Sequence, residues 1–114
     1  MAGCESKRTP AVDVYDGDEA WTVVVDVPGC VKEDVDITVV DGKLSVEGRP
    51  QRPDMPASAV AQRRESAGGA FGRTIPLDGS LDAALATAKI DRGVLTVWIP
   101  KRRETKAERK IVIE

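Results

Sequence analysis

The strongest structural signal in this chain is the stretch Gly93-Val94-Leu95-Thr96-Val97-Trp98-Ile99-Pro100, which predicts an apolar β-strand. The turn sequence Asp91-Arg92-Gly93 leads the chain into it. Residues 81–90, just before this turn, are ambiguous because their alanines would also suit a helix. Extended structure is therefore predicted from residue 94 onward.

The N-terminal half repeats the preference for strands. Apolar and polar residues alternate over four successive segments, a pattern of period two that is typical of half-buried strands. The apolar positions are Val12 and Val14; Trp21, Val23, Val25 and Val27; Val35, Ile37 and Val39; and Leu44 and Val46. Asp41-Gly42 between the last two segments predicts a tight hairpin. With a further strand near residues 71–77, about eight short strands predict an all-β, immunoglobulin-like antiparallel β-sandwich.

After the last strand and a charged stretch comes the isolated triplet Ile111-Val112-Ile113. Ile111 and Ile113 are two residues apart, so in an extended chain both side chains project from one face. Full burial of each would contribute about 1.5 to 3 kcal/mol. We therefore expect this tail to dock on its own subunit or on another one.

The charge balance disfavours nucleic acid and anionic membranes as main partners. The chain has 17 basic and 19 acidic residues, a net charge of -2. The stretch 101–110 carries six basic residues, but it has no interleaved aromatic residues and Glu104 and Glu108 dilute it. A flexible tether is the favoured interpretation, and a short helix stays open. Nine acidic residues between Val12 and Asp41 could attract this basic stretch.

Cys4 and Cys30 are the only cysteines, and no apolar stretch is long enough to act as a signal sequence or to span a membrane. We therefore expect a reduced, cytoplasmic setting without a structural disulfide. Cys30 is interpreted as a small turn residue.

An enzyme is disfavoured because the chain has no histidine, the commonest general base and metal ligand. Cys30 has no visible activator, and the serines lie in no nucleophile motif. Gly68-Gly69-Ala70-Phe71-Gly72 lacks the Lys-Ser/Thr of a phosphate loop and predicts a turn into a strand. We expect no catalytic residue, cofactor or metal.

Three domain segments are predicted. Residues 1–10 are polar and form a short N-terminal arm, residues 11–101 form the sandwich domain, and residues 102–114 form a flexible C-terminal tail. Within the domain, residues 49–61 contain Pro50, Pro53 and Pro56, which disfavour a central strand and predict a long loop.

Three motifs resemble those of the small heat-shock proteins, the Hsp20 or alpha-crystallin domain family. Residues 88–101 are similar to the family's A-x-x-x-N-G-V-L followed by an apolar strand and Pro-Lys, with Arg92 in place of the asparagine. Residues 27–35 are similar to its L-P-G-V followed by lysine and acidic residues, and residues 111–113 to its I-x-I tail. Family members commonly have a longer apolar N-terminal arm that binds clients and builds large assemblies, so we expect the short polar segment here to limit both.

The resemblance implies an ATP-independent molecular chaperone, or holdase, that binds partly unfolded proteins and prevents their aggregation under stress. It also implies a groove for the tail of a neighbouring subunit or for a client. Matching of strands and period assigns Val35, Ile37 and Val39 to one wall and Ala86, Ala88 and Ile90 to the other. The alternative is that these six residues belong to the sandwich core, because alternation defines a face but does not say which face is inward.

A homodimer formed by strand exchange is also implied by the resemblance, with higher oligomers linked through the tail. The exchanged segment would be Ala59, Val60, Ala61, Gln62, Arg63 and Arg64, paired with Val12, Asp13, Val14 and Tyr15 of the partner. Arg63 and Arg64 would then lie near Asp13 and Asp16, or alternatively they are solvated loop charges. The competing function is a co-chaperone-like module of the CS/p23 type that recognises a folded partner. The I-x-I tail and the proline-rich loop favour the holdase.

Overall fold

A computed structural model describes residues 8–66, 68–103 and 113. These residues form seven strands: β1 Val12–Asp16, β2 Ala20–Asp26, β3 Val35–Val40, β4 Lys43–Gly48, β5 Phe71–Pro76, β6 Thr87–Asp91 and β7 Val94–Pro100. Short 3-10 helices span Lys32–Asp34 and Ala83–Leu85. The strands make two antiparallel sheets, in the orders β1-β2-β7-β6 and β3-β4-β5. The predicted all-β sandwich is confirmed, and the ambiguous residues 81–90 supply one 3-10 turn and one strand.

The core lies between the central strands of the two sheets. On the four-stranded sheet, Val23 is paired with Val97 and Val25 with Leu95. These side chains are at most 1% exposed, as are Leu44 and Val46 of β4, which belong to the same apolar cluster. Each such side chain contributes about 1.5 to 3 kcal/mol when it leaves water. The period-two pattern of the sequence is therefore explained by one buried face on each sheet.

Two tight hairpins set the strand registers. Asp41 and Gly42 have φ angles of 53° and 74° and join Val40 directly to its partner Lys43, as the sequence predicted. The β6–β7 turn has the same form, with φ angles of 54° at Arg92 and 77° at Gly93. Arginine is unfavourable in this left-handed region, where asparagine is tolerated better. The substitution of arginine in the family-like motif thus leaves the left-handed turn in place.

Backbone contacts also involve residues just outside the predicted domain limits of 11 and 101. Arg8 forms a parallel bridge with Phe71, and its N–H donates to the carbonyl oxygen of Ala70 at 3.1 Å. At the other end, the Arg102 N–H donates to the carbonyl oxygen of Ser80 at 2.7 Å. The described residues between β4 and β5 contain no strand, in keeping with a long loop. In the described part of the chain, no helix has the length and apolar character needed to cross a membrane.

Gly48, at the end of β4, is a position where the packing demands a residue without Cβ. A Cβ at this position would lie 2.6 Å from Cζ of Phe71 and 2.7 Å from the carbonyl oxygen of Asp34. We expect Gly48→Ala to lower the free energy of unfolding by about 1 to 3 kcal/mol, because the aromatic ring and backbone must shift. Urea unfolding measures this, with Gly79→Ala as the control, since no atom lies within 4 Å of its added Cβ. Equal stabilities of the two variants would contradict this account of the packing.

Candidate functional site

A groove runs between β3 and β6, the edge strands of the two sheets. It consists of two adjoining depressions of about 490 and 320 Å³. Ile37 and Ala88 line both of them, so the depressions form one continuous feature. Its dimensions fall within the range of protein sites that hold small ligands or side chains.

All six residues that the sequence assigned to the groove walls line these depressions. Val35 and Ile90 line the larger one, Val39 and Ala86 the smaller one, and Ile37 and Ala88 both. All six are half-buried or exposed in the single chain, whereas the core residues are at most 7% exposed. The walls thus present accessible apolar surface.

The floor of the groove is built from the core. Leu95 reaches the larger depression, and Leu44 and Val97 reach the smaller one. Cys30 also lines the larger depression and is only 7% exposed, so this turn residue is part of the core cluster. Burial raises the pKa of the Cys30 thiol, the carboxylate of Asp34 raises it further, and the guanidinium of Arg8 opposes both. The thiol therefore stays protonated and behaves as a small apolar group.

Charge is distributed unevenly along the groove. The larger depression is lined by Lys32, Lys89 and Arg92, with Asp91 as the acidic residue among its described lining. The smaller depression has no charged residue in its described lining, which is apolar apart from two threonines. The sequence analysis did not find this asymmetry, because the three basic residues come from separate segments.

The tail motif lies largely outside the described residues, which include neither Ile111 nor Val112. Ile113 is described and is 93% exposed. Its side chain is therefore not covered in the single chain, and the predicted docking of the tail stays a prediction.

The predicted exchange residues are accessible but lie apart within one chain. Val12, Asp13, Val14 and Tyr15 belong to β1, whose outer edge has no strand partner among the described residues. The loop residues Ala59, Val60, Ala61, Gln62, Arg63 and Arg64 are all exposed and form no strand. Within the chain, Arg63 forms an exposed ion pair with Glu65 at 3.4 Å, and Asp16 pairs with Lys101 at 2.8 Å. Strand exchange and its charge pairs therefore stay predictions about two subunits.

The sequence analysis also missed an aromatic surface on the outer face of the four-stranded sheet. Trp98 and Tyr15 are 46% and 59% exposed, and both are paired with Thr22 in the sheet. The signal was present, since burial of Leu95, Val97 and Ile99 on alternate positions places Trp98 on the opposite face. In the described part of the chain, no three His, Cys, Asp or Glu residues are grouped to hold a metal ion.

Comparison with known proteins adds independent information. The Hsp20/alpha crystallin family model matches residues 13–114. Heat shock protein 16 of Schizosaccharomyces pombe is 32% identical over 108 residues, covering 93% of this chain and 76% of that protein. Spore protein SP21 of Stigmatella aurantiaca is 31% identical over 100 residues, covering 88% of this chain but only 59% of that protein.

Solved structures show the same relationship. Heat shock protein 16.0 of Schizosaccharomyces pombe has a TM-score of 0.75 and 30% identity, with coverage of 95% of this chain and all of that chain. A small heat-shock protein from Xylella fastidiosa has a TM-score of 0.76 and 30% identity, with coverage of 92% and 96%. The sequence and the two-sheet fold are thus both similar to those of heat-shock proteins.

Proposed function

This chain belongs to the Hsp20/alpha crystallin family, and from that premise we propose that it is an ATP-independent holdase, which binds partly unfolded proteins and prevents their aggregation. Family membership supports a chaperone role in the stress response. The proposal that the chain binds partly unfolded proteins rests on the accessible apolar groove between β3 and β6. The cytoplasmic location stays a prediction from the sequence.

The groove suits an extended peptide better than a folded surface. Its walls are the edges of two sheets, and an edge strand offers backbone donors and acceptors to an added strand. Alternate residues of β3 face the groove, so an occupant with apolar residues two apart matches the wall spacing of about 6.7 Å. Unfolded chains contain many such segments, which fits a binder with broad specificity.

The chain's own tail meets the same requirement. Ile111 and Ile113 are also two residues apart, and the two depressions provide a place for each side chain. We propose that the tail of a neighbouring subunit occupies the groove, links dimers into larger assemblies and competes with clients. The related protein from Xylella fastidiosa forms a distinct high order structure, which supports a capacity for assembly in the family.

The dimer is proposed to form by strand exchange between the long loop and β1 of the partner. The outer edge of β1 and the exposed loop residues 59–64 are accessible, as this arrangement requires. A CS/p23-type module that recognises one folded partner is the alternative function. It would give a saturable complex of fixed stoichiometry with a folded protein and little protection of unfolding ones.

The holdase proposal predicts that the full chain, without ATP, suppresses the light scattering of a thermally unfolding client at equimolar concentration. We expect Val39→Lys to lose most of this suppression, because it places a charge on the groove wall. Val40→Lys is the matched control, since Val40 is the next residue of β3, is 62% exposed and lies outside the groove lining. Absence of suppression by the unchanged protein, or equal loss in both variants, would contradict the proposal.

Tail docking predicts that the double substitution Ile111→Gly and Ile113→Gly removes species larger than a dimer in sedimentation velocity. Both apolar side chains that would fill the depressions are lost. Val112→Gly serves as the control, because Val112 projects from the opposite face of an extended tail. An unchanged mass distribution in the double variant would count against docking.

Strand exchange predicts that deletion of residues 52–64 converts dimers into monomers in multi-angle light scattering. The deletion removes the segment that would pair with β1 of the partner, while the sandwich core is left in place. The tail double variant should still form dimers under the same conditions. Dimers that persist after the loop deletion would rule out this mode of association.

A further inference from the structure

Three basic residues meet at one end of the groove. Lys32 lies in the 3-10 turn before β3, Lys89 on β6 and Arg92 in the β6–β7 turn, and all three are exposed and line the larger depression. We call this set the basic cluster. Asp91 is the acidic residue in the same described lining. The basic cluster thus leaves an excess of positive charge at this end.

Asp34 lies on the same 3-10 turn as Lys32, but it is not among the groove-lining residues, and both of its carboxylate oxygens accept hydrogen bonds. Oδ2 accepts from the Val31 N–H at 2.9 Å, and Oδ1 accepts from Nε2 of Gln51 at 3.1 Å. Glu33 is exposed on the adjoining 3-10 turn and is not among the groove-lining residues. Among the described lining residues of this end, three side chains are cationic and one is anionic, so an anionic group would meet a net positive surface.

The opposite end of the groove differs in charge. The smaller depression has no charged residue in its described lining, and Asp82 directly precedes its lining residue Ala83. Oδ1 of Asp82 accepts from the Ala84 N–H at 3.2 Å, which holds this carboxylate at the start of the second 3-10 turn. The groove thus has a positive end and a neutral to negative end.

The tail sequence has the complementary order of charges. Arg109 and Lys110 precede the apolar triplet, and Glu114 follows it. An extended tail that fills both depressions can lie in either of two directions. One direction places Glu114 beside the basic cluster, and the other places Arg109 and Lys110 there.

We propose that the basic cluster binds the side-chain carboxylate of Glu114 in a docked tail and thereby fixes its direction. Ile113 then fills the depression beside Cys30, Ile111 fills the one beside Ala86, and the tail runs antiparallel to β3 and parallel to β6. This inference rests on the proposed docking of the tail in the groove. The reverse direction brings five cationic side chains together and is disfavoured by their repulsion.

A charge-swap experiment on the full chain tests the contact. Glu114→Lys should weaken tail-dependent association about threefold to tenfold in sedimentation velocity at low salt, the range expected for the loss of one or two exposed ion pairs. Lys32→Glu with Lys89→Glu should weaken it similarly, and the three substitutions together should restore it. Glu108→Lys is the matched control, because it makes the same charge change ahead of the apolar triplet and should not be rescued by the groove substitutions. Failure of the combined variant to recover association would overturn the proposal.

A nitroxide attached at Ala107→Cys tests the direction itself. In a Cys4→Ser, Cys30→Ala background the introduced cysteine is the only thiol, so the label is confined to the tail. The proposal predicts broadening of amide signals near Ala83 and Val40 in NMR spectra, with little effect near Lys32. Broadening at the Lys32 end would overturn the assigned direction.

The outcomes separate this inference from the proposed function. If the Ile111→Gly and Ile113→Gly variant assembles normally, the proposed docking of the tail is wrong, and so is the direction that rests on it. If that variant loses assembly but the charge swap gives no rescue, docking stands and the role of the basic cluster is wrong.

Discussion

The apolar contact between β4 and the β2–β7 pair is the constraint on which the rest of this structure depends. Leu44 and Val46 on one sheet and Val23, Val25, Leu95 and Val97 on the other are almost completely buried, and this fixes the inward face of each strand. The sheets are narrow, with three and four strands. β3 lies next to β4, β6 lies next to β7, and each is an edge strand of its sheet. The core therefore covers their apolar side chains only in part. The groove therefore forms because the core buries side chains of the central strands fully and those of the two edge strands only in part.

The structural features that could be predicted from the sequence are those that depend on a local pattern of residues. The Asp41-Gly42 hairpin follows from two residues suited to positive φ, and the strands follow from alternation. Residues 81–90 were undecided because their alanines also suit a helix, and pairing of β6 with β7 decided in favour of a strand over Thr87–Asp91. The six wall residues came from matching strands to a family, since period two alone cannot distinguish a groove from a core.

The basic cluster could not be predicted because it depends on tertiary structure. Lys32 is separated from Lys89 and Arg92 by about half of the chain, and only the two-sheet arrangement brings them to one end of the groove. The burial of Cys30 has the same origin, because a residue after Pro28-Gly29 looks like an exposed turn until Leu95 and Val35 are placed beside it. Long-range placement of this kind leaves no periodic signal in the sequence.

A groove that is proposed to bind unfolded chains needs a cover that can be displaced, and the energetics of the proposed tail docking suit this need. Burial of two isoleucine side chains contributes about 3 to 6 kcal/mol. Ordering of four or five tail residues costs about 1 to 2 kcal/mol each, so this cost offsets most or all of the gain. Under the proposed docking, a single tail would bind weakly and would yield to a competing segment, whereas several tails in one assembly would reinforce one another through their high effective concentration. The same weak contact would cover the exposed edges of β3 and β6 in the assembly and would release them when an unfolded chain is present.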